Sequence, residues 1–242
     1  MHTPEEILKI YWDHNEFRPK QKEIVEAVLN GKDTLALLPT GGGKSVCYQV
    51  PAMMQEGLCL VVSPLIALME DQIQQLQKRG IKAIAITSGM SHRQIDIALD
   101  NAIYGETKFL YVSPERLKTR LFLARFGKMK VNLIAVDEAH CISEWGYDFR
   151  PAYLEIAEIR KFHPKCPILA LTATATSSVV DDIQEKLQFK TKNVISSSFK
   201  RQNVIYKLNR SNNKINRILE FLSKNNSSGI IYCSTRKDVK FV

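Results

Sequence analysis

The sequence predicts an α/β fold in which a mostly parallel sheet carries helices on both faces, and three observations lead to it. Short apolar runs alternate with amphipathic helical patterns along most of the chain. A glycine-rich loop separates the first run from the helical pattern that follows it, and several later runs end on a polar residue. Such alternation is typical of parallel strands joined by right-handed helical crossovers.

The spacing of apolar residues bounds the individual elements. Continuous apolar runs predict strands at 35–38, 58–62, 83–87, 109–112, 132–136 and 168–171. Apolar positions three or four residues apart predict helices at 4–11, 21–29, 65–77, 93–103, 115–125, 153–162 and 177–187. Ligands of such sheets bind at the carboxyl ends of the strands. We therefore expect one shared site formed by the glycine-rich loop and by Ser63, Ser113, Asp137 and Thr172.

The glycine-rich loop lies within residues 34–48, which read TLALLPTGGGKSVCY. Glycines allow positive φ, so successive N–H groups can turn onto one concave face, and the following helix adds its unpaired N–H donors. Lys44 supplies a cation and Ser45 a hydroxyl that can bind Mg²⁺. This composition predicts a cradle for nucleotide phosphates, the phosphate loop (residues 39–45), with Thr40, Gly41, Gly42, Gly43, Lys44 and Ser45. Leu38 stands where the common pattern has its first glycine, and a plain glycine turn with a solvated lysine is the alternative interpretation.

Composition favours a globular protein with a basic C-terminal stretch. The chain has 242 residues, 45% hydrophobic and 24% charged, and a net charge of +9. Residues 1–198 carry 24 basic and 23 acidic side chains, whereas residues 199–242 carry 10 and 2. A basic block is usually a solvated surface, and nucleic acid is the partner that would give it a function.

The cysteine spacing and the lack of long apolar segments predict a protein that lies in a reducing compartment and outside the membrane. The five cysteines are widely spaced without a C-x-x-C pair, which favours reduced thiols and argues against zinc in this chain. The N-terminus has no basic segment followed by an apolar core, and no stretch approaches about 20 apolar residues. We expect a protein that is not secreted and has no membrane partner.

A cluster of aromatic and polar residues precedes the phosphate loop at 11–21, YWDHNEFRPKQ. The amide of Gln21 matches the N6 and N7 edge of adenine in donor and acceptor order. Trp12 and Phe17 could also simply be packing anchors. Taken alone, this segment favours that structural interpretation over base binding.

An acidic pair follows the apolar run at 132–136, in the tetrapeptide DEAH at 137–140. A carboxylate at a strand end can hold the Mg²⁺ that bridges nucleotide phosphates, and a second can deprotonate the attacking water. Asp137 and Glu138 are the candidates for these two roles. Acidic pairs at strand ends also serve as helix caps, but the phosphate loop upstream favours the catalytic interpretation.

An aromatic-rich segment, CISEWGYDFRP at 141–151, follows at once, and we call it the aromatic loop. Gly146 and Pro151 exclude a helix interior there. Exposed rings bind single-stranded nucleic acid by base stacking, at about 1–3 kcal/mol per base. The opposite interpretation, in which the rings form a local core, stays open at this point.

Six segments in this order resemble the RecQ family of superfamily 2 DNA helicases: FRPKQ, LPTGGGKS, SPLIALMEDQ, YVSPERL, AVDEAHCISEWGYDFRP and ALTATAT. The resemblance covers about residues 4–210. It implies a first RecA-like P-loop domain at 1–205 and, at 206–242, a linker with the opening fragment of a second RecA-like domain. Residues 229–235, GIIYCST, resemble the opening strand of that second domain.

The resemblance also implies roles for individual residues, with ATP and Mg²⁺ as cofactors. Lys44, Asp137 and Glu138 match catalytic residues, and Ser45 and Asp137 match the Mg²⁺ ligands. The adenine motif is matched by His14, Arg18 and Gln21. The residues implied to contact DNA or to couple it to ATP hydrolysis are His140, Trp145, Phe149, Arg150, Thr172 and Thr174.

Three positions depart from the family pattern. Tyr147 stands where the family has His, His14 where a Tyr stacks on adenine, and Lys20 where Gly is usual. We expect weaker but surviving base recognition. The arginine finger and the zinc module of the family would lie beyond residue 242 in the full-length protein, so we expect a fragment or truncated product that binds ATP but hydrolyses it weakly.

The function implied by the resemblance is ATP-dependent 3′-to-5′ DNA unwinding in recombination and repair. Its partners would be single-stranded and partly duplex DNA, in the cytoplasm of a prokaryote or the nucleus of a eukaryote. Two alternatives are an ATP-binding regulatory module that binds DNA without unwinding it, and an RNA-directed translocase of the same superfamily.

Overall fold

The computed structural model describes residues 2–146, 148–198, 204–211, 213–225 and 228–241. The chain divides into two compact units, Met1–Phe199 and Lys200–Val242. The position of Tyr147, one of the departures from the family pattern, lies outside the described residues.

A seven-stranded sheet forms the centre of the first unit, and its paired strands all run parallel. The strands are β1 (Thr34–Leu37), β2 (Leu58–Val62), β3 (Ala83–Ile86), β4 (Phe109–Val112), β5 (Val131–Val136), β6 (Ile168–Thr172) and β7 (Val194–Ser196). Their order across the sheet is β3-β4-β2-β5-β6-β1-β7. The neighbours β2, β5, β6 and β1 therefore bring the phosphate loop and the DEAH segment to the same edge.

Helices cover both faces of this sheet. They are α1 (Pro4–Trp12), α2 (Gln21–Leu29), α3 (Lys44–Met54), α4 (Ile66–Lys78), α5 (His92–Tyr104), α6 (Arg120–Phe126), α7 (Glu155–Ile159) and α8 (Ser177–Lys186). Alternate residues of one strand enter opposite cores: in β2, Leu60 joins one apolar cluster and Val61 the other. This two-sided burial explains why the strands appear as continuous apolar runs rather than as alternating patterns.

Two predicted helices are broken in the structure. The stretch predicted as a helix at 115–125 is a 3-10 helix, Pro114–Lys118, followed by α6, because Thr119 between them is extended (φ −74°, ψ 136°). The stretch predicted at 153–162 contains only five α-helical residues, flanked by 3-10 helices at Pro151–Leu154 and Arg160–Phe162. Pro164 restricts the residue before it, so the last turn cannot continue. The short strand β7 was not predicted.

The second unit contains two helices in its described residues, α9 (Lys214–Lys224) and α10 (Arg236–Phe241). The described residues at 228–235 form no strand, so the strand expected at 229–235 is not observed. The described residues of this unit form no other strand, and an extended segment without a paired strand would leave its backbone groups unbonded. Among the described residues, no helix is both long and apolar enough to cross a bilayer.

Candidate functional site

The phosphate loop joins β1 to α3 through two glycines with positive φ. Gly41 has φ +77° and Gly43 has φ +75°. A Cβ on Gly43 would lie 2.4 Å from Nε2 of Gln21, and a Cβ on Gly42 would lie 2.8 Å from the carbonyl oxygen of Pro39. The loop therefore requires glycine for conformation and for space.

Arg18, before α2, and Gln21, the first residue of α2, hold the carbonyl groups of this loop. Nε2 of Gln21 donates to the carbonyl oxygens of Gly42 and Gly43, at 3.2 and 2.9 Å. The guanidinium of Arg18 donates to the carbonyl oxygen of Gly41. Gln21 is itself buried, and its Oε1 accepts from the backbone N–H of Arg18 at 2.8 Å. Arg18 and Gln21, two of the three residues of the expected adenine motif, thus contact the phosphate loop, whereas His14 is exposed.

Lys20 explains why glycine is usual at its position. It adopts φ 71° and ψ −14° as the residue that precedes α2. This left-handed conformation is unfavourable for a residue with a Cβ, and glycine adopts it freely. Its ammonium pairs with Glu23 one turn later, at 2.7 Å.

Lys44 is not solvent-facing, contrary to the expectation for a free ligand group. Its side chain is 17% exposed, and Nζ lies 3.7 Å from Oε1 of Glu138. The DEAH segment follows β5, which neighbours β2 and β6, so the acidic pair is carried to the loop by the sheet. Glu138 itself has φ 47°, a left-handed conformation that is rare outside glycine.

The two carboxyl groups of the acidic pair differ in environment. Burial raises the pKa of Asp137, and the like charge of Glu138 adds to this effect. A hydrogen bond from His140 lowers the pKa of Glu138, and the charge of Lys44 lowers it further. Glu138 therefore remains ionised and able to accept a proton, while burial disfavours the charge of the Asp137 carboxyl group.

Ser45 and Asp137 fit the requirements of Mg²⁺. Mg²⁺ binds through one or two protein oxygens together with substrate phosphates, rather than in an all-protein cage. A cation beside Asp137 would relieve the unfavourable burial of its charge.

His140 connects the acidic pair to β6. Its Nδ1 lies 3.3 Å from Oε2 of Glu138 and 2.9 Å from Oγ1 of Thr172. Oγ1 of Thr172 in turn donates to the carbonyl oxygen of Thr174 and accepts from its N–H, at 3.2 and 3.3 Å. Contacts with the Cys141 thiol and with Glu138 raise the pKa of His140 to about 9. The imidazole is therefore positively charged at neutral pH.

The aromatic loop packs directly against this network. The backbone N–H of Arg150 donates to the carbonyl oxygen of Cys141 at 2.8 Å, which closes the loop. Its guanidinium pairs with Asp148 at 3.2 Å and also donates to the carbonyl oxygen of Pro64, after β2, at 3.4 Å. Below the loop, the hydroxyl of Tyr153 donates to the carbonyl oxygen of Asp137 at 3.0 Å. This region is thus connected to the end of β2 through Arg150 and to the acidic pair itself through Tyr153.

The rings of the loop are not equally open. Trp145 is 78% exposed, as expected for a stacking residue. Phe149 is only half-exposed, and the ammonium of Lys186 lies 5.5 Å from its ring centroid. The interpretation as an exposed loop therefore agrees with the position of Trp145, whereas the Phe149 ring is partly covered.

Sequence reasoning missed Lys186, Asp148 and Tyr153. Asp148 and Tyr153 lie in or beside a segment that was already singled out, so their proximity in sequence was a usable signal. Lys186 ends an ordinary amphipathic helix, and nothing in its neighbourhood distinguishes it from a solvated lysine. Its position beside the aromatic loop is seen only in the structure, where its ammonium donates to the carbonyl oxygen of Ile142.

Comparison with known proteins identifies the family to which this sequence is similar. The sequence pattern of the DEAD/DEAH box helicase family matches residues 18–183. The chain is 43% identical to the ATP-dependent DNA helicase RecQ of Haemophilus influenzae, over 97% of this chain and 38% of that protein. It is 42% identical to RecQ of Bacillus subtilis, over 98% of this chain and 41% of the relative. The R290 protein of Acanthamoeba polyphaga mimivirus, whose name designates an ATP-dependent RNA helicase, is 42% identical over 97% of this chain and 43% of its own.

A solved structure shows the same fold at low sequence identity. The crystal structure of the DUF1998 helicase MrfA bound to DNA and AMPPNP superposes with a TM-score of 0.71 at 16% identity, over 99% of this chain and 37% of that one. The present chain spans about two fifths of the length of the curated relatives described above.

Proposed function

The chain belongs to the DEAD/DEAH box helicase family, and we propose that it is the ATP-binding motor portion of a RecQ-type ATP-dependent DNA helicase. The observation that carries the proposal is the continuous set of contacts from Lys44 through Glu138 and His140 to Thr172. These contacts join the proposed phosphate ligand Lys44 and the proposed general base Glu138 to His140, which directly precedes the aromatic loop. ATP hydrolysis and strand binding could then influence each other through short polar contacts.

In the proposed reaction each residue has a separate role. The phosphate loop and the Lys44 ammonium would bind the β- and γ-phosphates. Ser45 and Asp137 would hold Mg²⁺, which supplies positive charge next to these phosphates when it is bound. Glu138 accepts the proton of the attacking water, and the His140 cation keeps it ionised in the meantime. Binding of the phosphates requires Lys44 to give up part of its contact with Glu138, which releases the base at the moment when the nucleotide is present.

The partner we propose is single-stranded or partly duplex DNA, bound at the aromatic loop with 3′-to-5′ movement in recombination and repair. We place the protein with the DNA it would act on, in a prokaryotic cytoplasm or a eukaryotic nucleus. We propose a first RecA-like domain at 1–205 and a linker with the start of a second at 206–242. Since the arginine finger of the family would come from that second domain, we propose that this chain alone hydrolyses ATP slowly.

RNA is a second candidate ligand because the R290 relative is designated an RNA helicase. Stacking on Trp145 does not distinguish the two nucleic acids, since every base presents an aromatic face. Binding of matched oligo(dT) and oligo(U) to the same protein separates the two proposals directly.

Calorimetry with Mg-ATP tests nucleotide binding. We expect Lys44→Ala to lower the affinity about 10- to 100-fold, because a charge-assisted phosphate contact is worth about 1.5–3 kcal/mol. Lys82→Ala is the matched control: Lys82 is an exposed, ion-paired lysine just before β3, at the opposite edge of the sheet. Equal ATP affinity in wild type and Lys44→Ala would show that the loop is only a turn.

A further inference from the structure

Lys186 is the last residue of α8, and its ammonium lies between that helix and the aromatic loop. Nζ is 5.5 Å from the ring centroid of Phe149 and donates to the carbonyl oxygen of Ile142 at 3.3 Å. Asp182, one turn earlier on α8, lies 3.2 Å from the same Nζ. The side chains of Lys186 and Asp182 are 24% and 16% exposed, so this arrangement is largely shielded from water.

A cation and a nucleic-acid base use the same surface of an aromatic ring. The cation is attracted by the negative face of the ring, and the base stacks on that face. Phe149 is half-exposed, and Lys186 covers part of its ring. Trp145, four residues earlier, is 78% exposed, and no cation of the described residues lies over its ring. The loop therefore offers one ring that is ready for stacking and one that is held by a cation.

We propose that Lys186 is a positioning residue that holds the Phe149 ring, and that its ammonium must leave the ring before a base can stack there. The inference rests on the proposed function, since it assumes that the aromatic loop binds a single strand. In the protein without bound nucleic acid, Asp182 and the carbonyl oxygen of Ile142 hold the Lys186 ammonium in place. Once displaced, the ammonium is near enough to the loop to contact a backbone phosphate of the bound strand.

The resting geometry and its release can be followed by nuclear magnetic resonance. Methylene protons beside a ring face are shifted upfield by the ring current, so the Hε signals of Lys186 should be shifted in wild type and normal in Phe149→Leu. Addition of oligo(dT) should return the Lys186 signals to their normal position. A shift that persists while the oligonucleotide is bound, as judged by fluorescence anisotropy, would overturn the inference and leave the proposed function intact.

A double-mutant cycle measures the competition. The effect of Lys186→Met on oligo(dT) affinity is measured in the wild-type background and in the Phe149→Leu background. In Phe149→Leu the ring is absent, so Lys186→Met removes only a phosphate contact. We expect the effect on oligo(dT) affinity to differ between the two backgrounds by about 2- to 5-fold, with tighter binding where the ring is present, as a partly exposed cation–π contact predicts. Lys186→Arg keeps a cation on the ring and should bind like wild type.

Lys192→Met serves as the matched control for charge, because Lys192 is an exposed lysine shortly after α8. It should weaken binding equally in both backgrounds. Equal effects of Lys186→Met in both backgrounds would make Lys186 a simple phosphate contact and refute its positioning role. Absence of oligo(dT) binding in every variant, with intact melting curves, would refute both the inference and the proposed DNA function.

Discussion

The buried ion pair between Asp33 and Arg160 should be the largest single polar contribution to the stability of the first unit. Asp33 precedes β1, and its side chain is fully buried, while that of Arg160 is 8% exposed. Both carboxylate oxygens accept from the guanidinium at 2.8 Å. They also accept from the backbone N–H groups of Ile168 and Lys190, at 2.9 and 2.8 Å. The carboxylate thus joins β1 to β6 and to the segment that precedes β7.

Replacement of Asp33 by alanine leaves a buried guanidinium and two amides without their acceptor. Breaking a buried pair by removing one partner costs about 3–5 kcal/mol. For a unit of this size, about 2–4 °C of melting temperature corresponds to each kcal/mol, so we expect a fall of about 6–20 °C. Urea denaturation supplies the free energy of unfolding directly.

Two comparisons make this prediction refutable. Glu56→Ala removes one partner of an exposed pair, Glu56–Lys130, with both side chains at least 80% exposed, and should cost less than about 1 kcal/mol. Arg160→Met in the Asp33→Ala background should recover part of the loss, because it removes the unpaired charge. If Asp33→Ala costs no more than Glu56→Ala, the assignment of this pair as a structural cross-link is wrong.

Three further predictions concern the site. Lys20→Gly should raise the free energy of unfolding by up to about 1 kcal/mol in urea denaturation, since φ 71° suits glycine, whereas Lys22→Gly within α2 should lower it by about the same amount. The raised pKa of His140 stabilises the fold fully below pH 6.5 and loses that effect as the pH rises through about 9. Stability should therefore fall by about 1 kcal/mol over this window, discounted for partial exposure, and the fall should disappear in His140→Asn. Trp145→Ala should leave the melting temperature unchanged and weaken oligo(dT) binding, because the ring is exposed, while Phe149→Ala should lower the melting temperature by a few degrees; the reverse pattern would make Trp145 a packing residue.

The sheet and the position of the site could be predicted because they depend on local sequence. Continuous apolar runs identified the strands of the centre, such as 58–62, and the polar residue after each strand identified the edge where the site lies. The broken helix at 153–162 was harder, because its apolar spacing is helical while Pro151 and Pro164 restrict its ends. The exposed strand β7 lacks the burial that makes a strand recognisable.

The contacts within the site could not be predicted, because they join residues that are distant in sequence. The burial of Lys44 depends on Glu138, 94 positions later, and the cover on Phe149 depends on a lysine of an ordinary helix. From the sequence, Lys20 could be recognised only as a departure from a glycine position. Its φ value of 71° explains why glycine is usual there. Motifs thus indicate which residues share a site, and the fold decides which of them contact each other.

The bond between Gln21 and the phosphate loop limits how this protein could be redesigned. A residue that only contacted the base could be exchanged to prefer guanine over adenine with little effect on phosphate affinity. Here the same amide holds the carbonyls of Gly42 and Gly43. If Gln21 also contacts the base, as the family resemblance implies, one side chain would serve both base recognition and the shape of the phosphate loop. A variant with another nucleotide preference at this position would then need a different side chain to hold these two carbonyl groups.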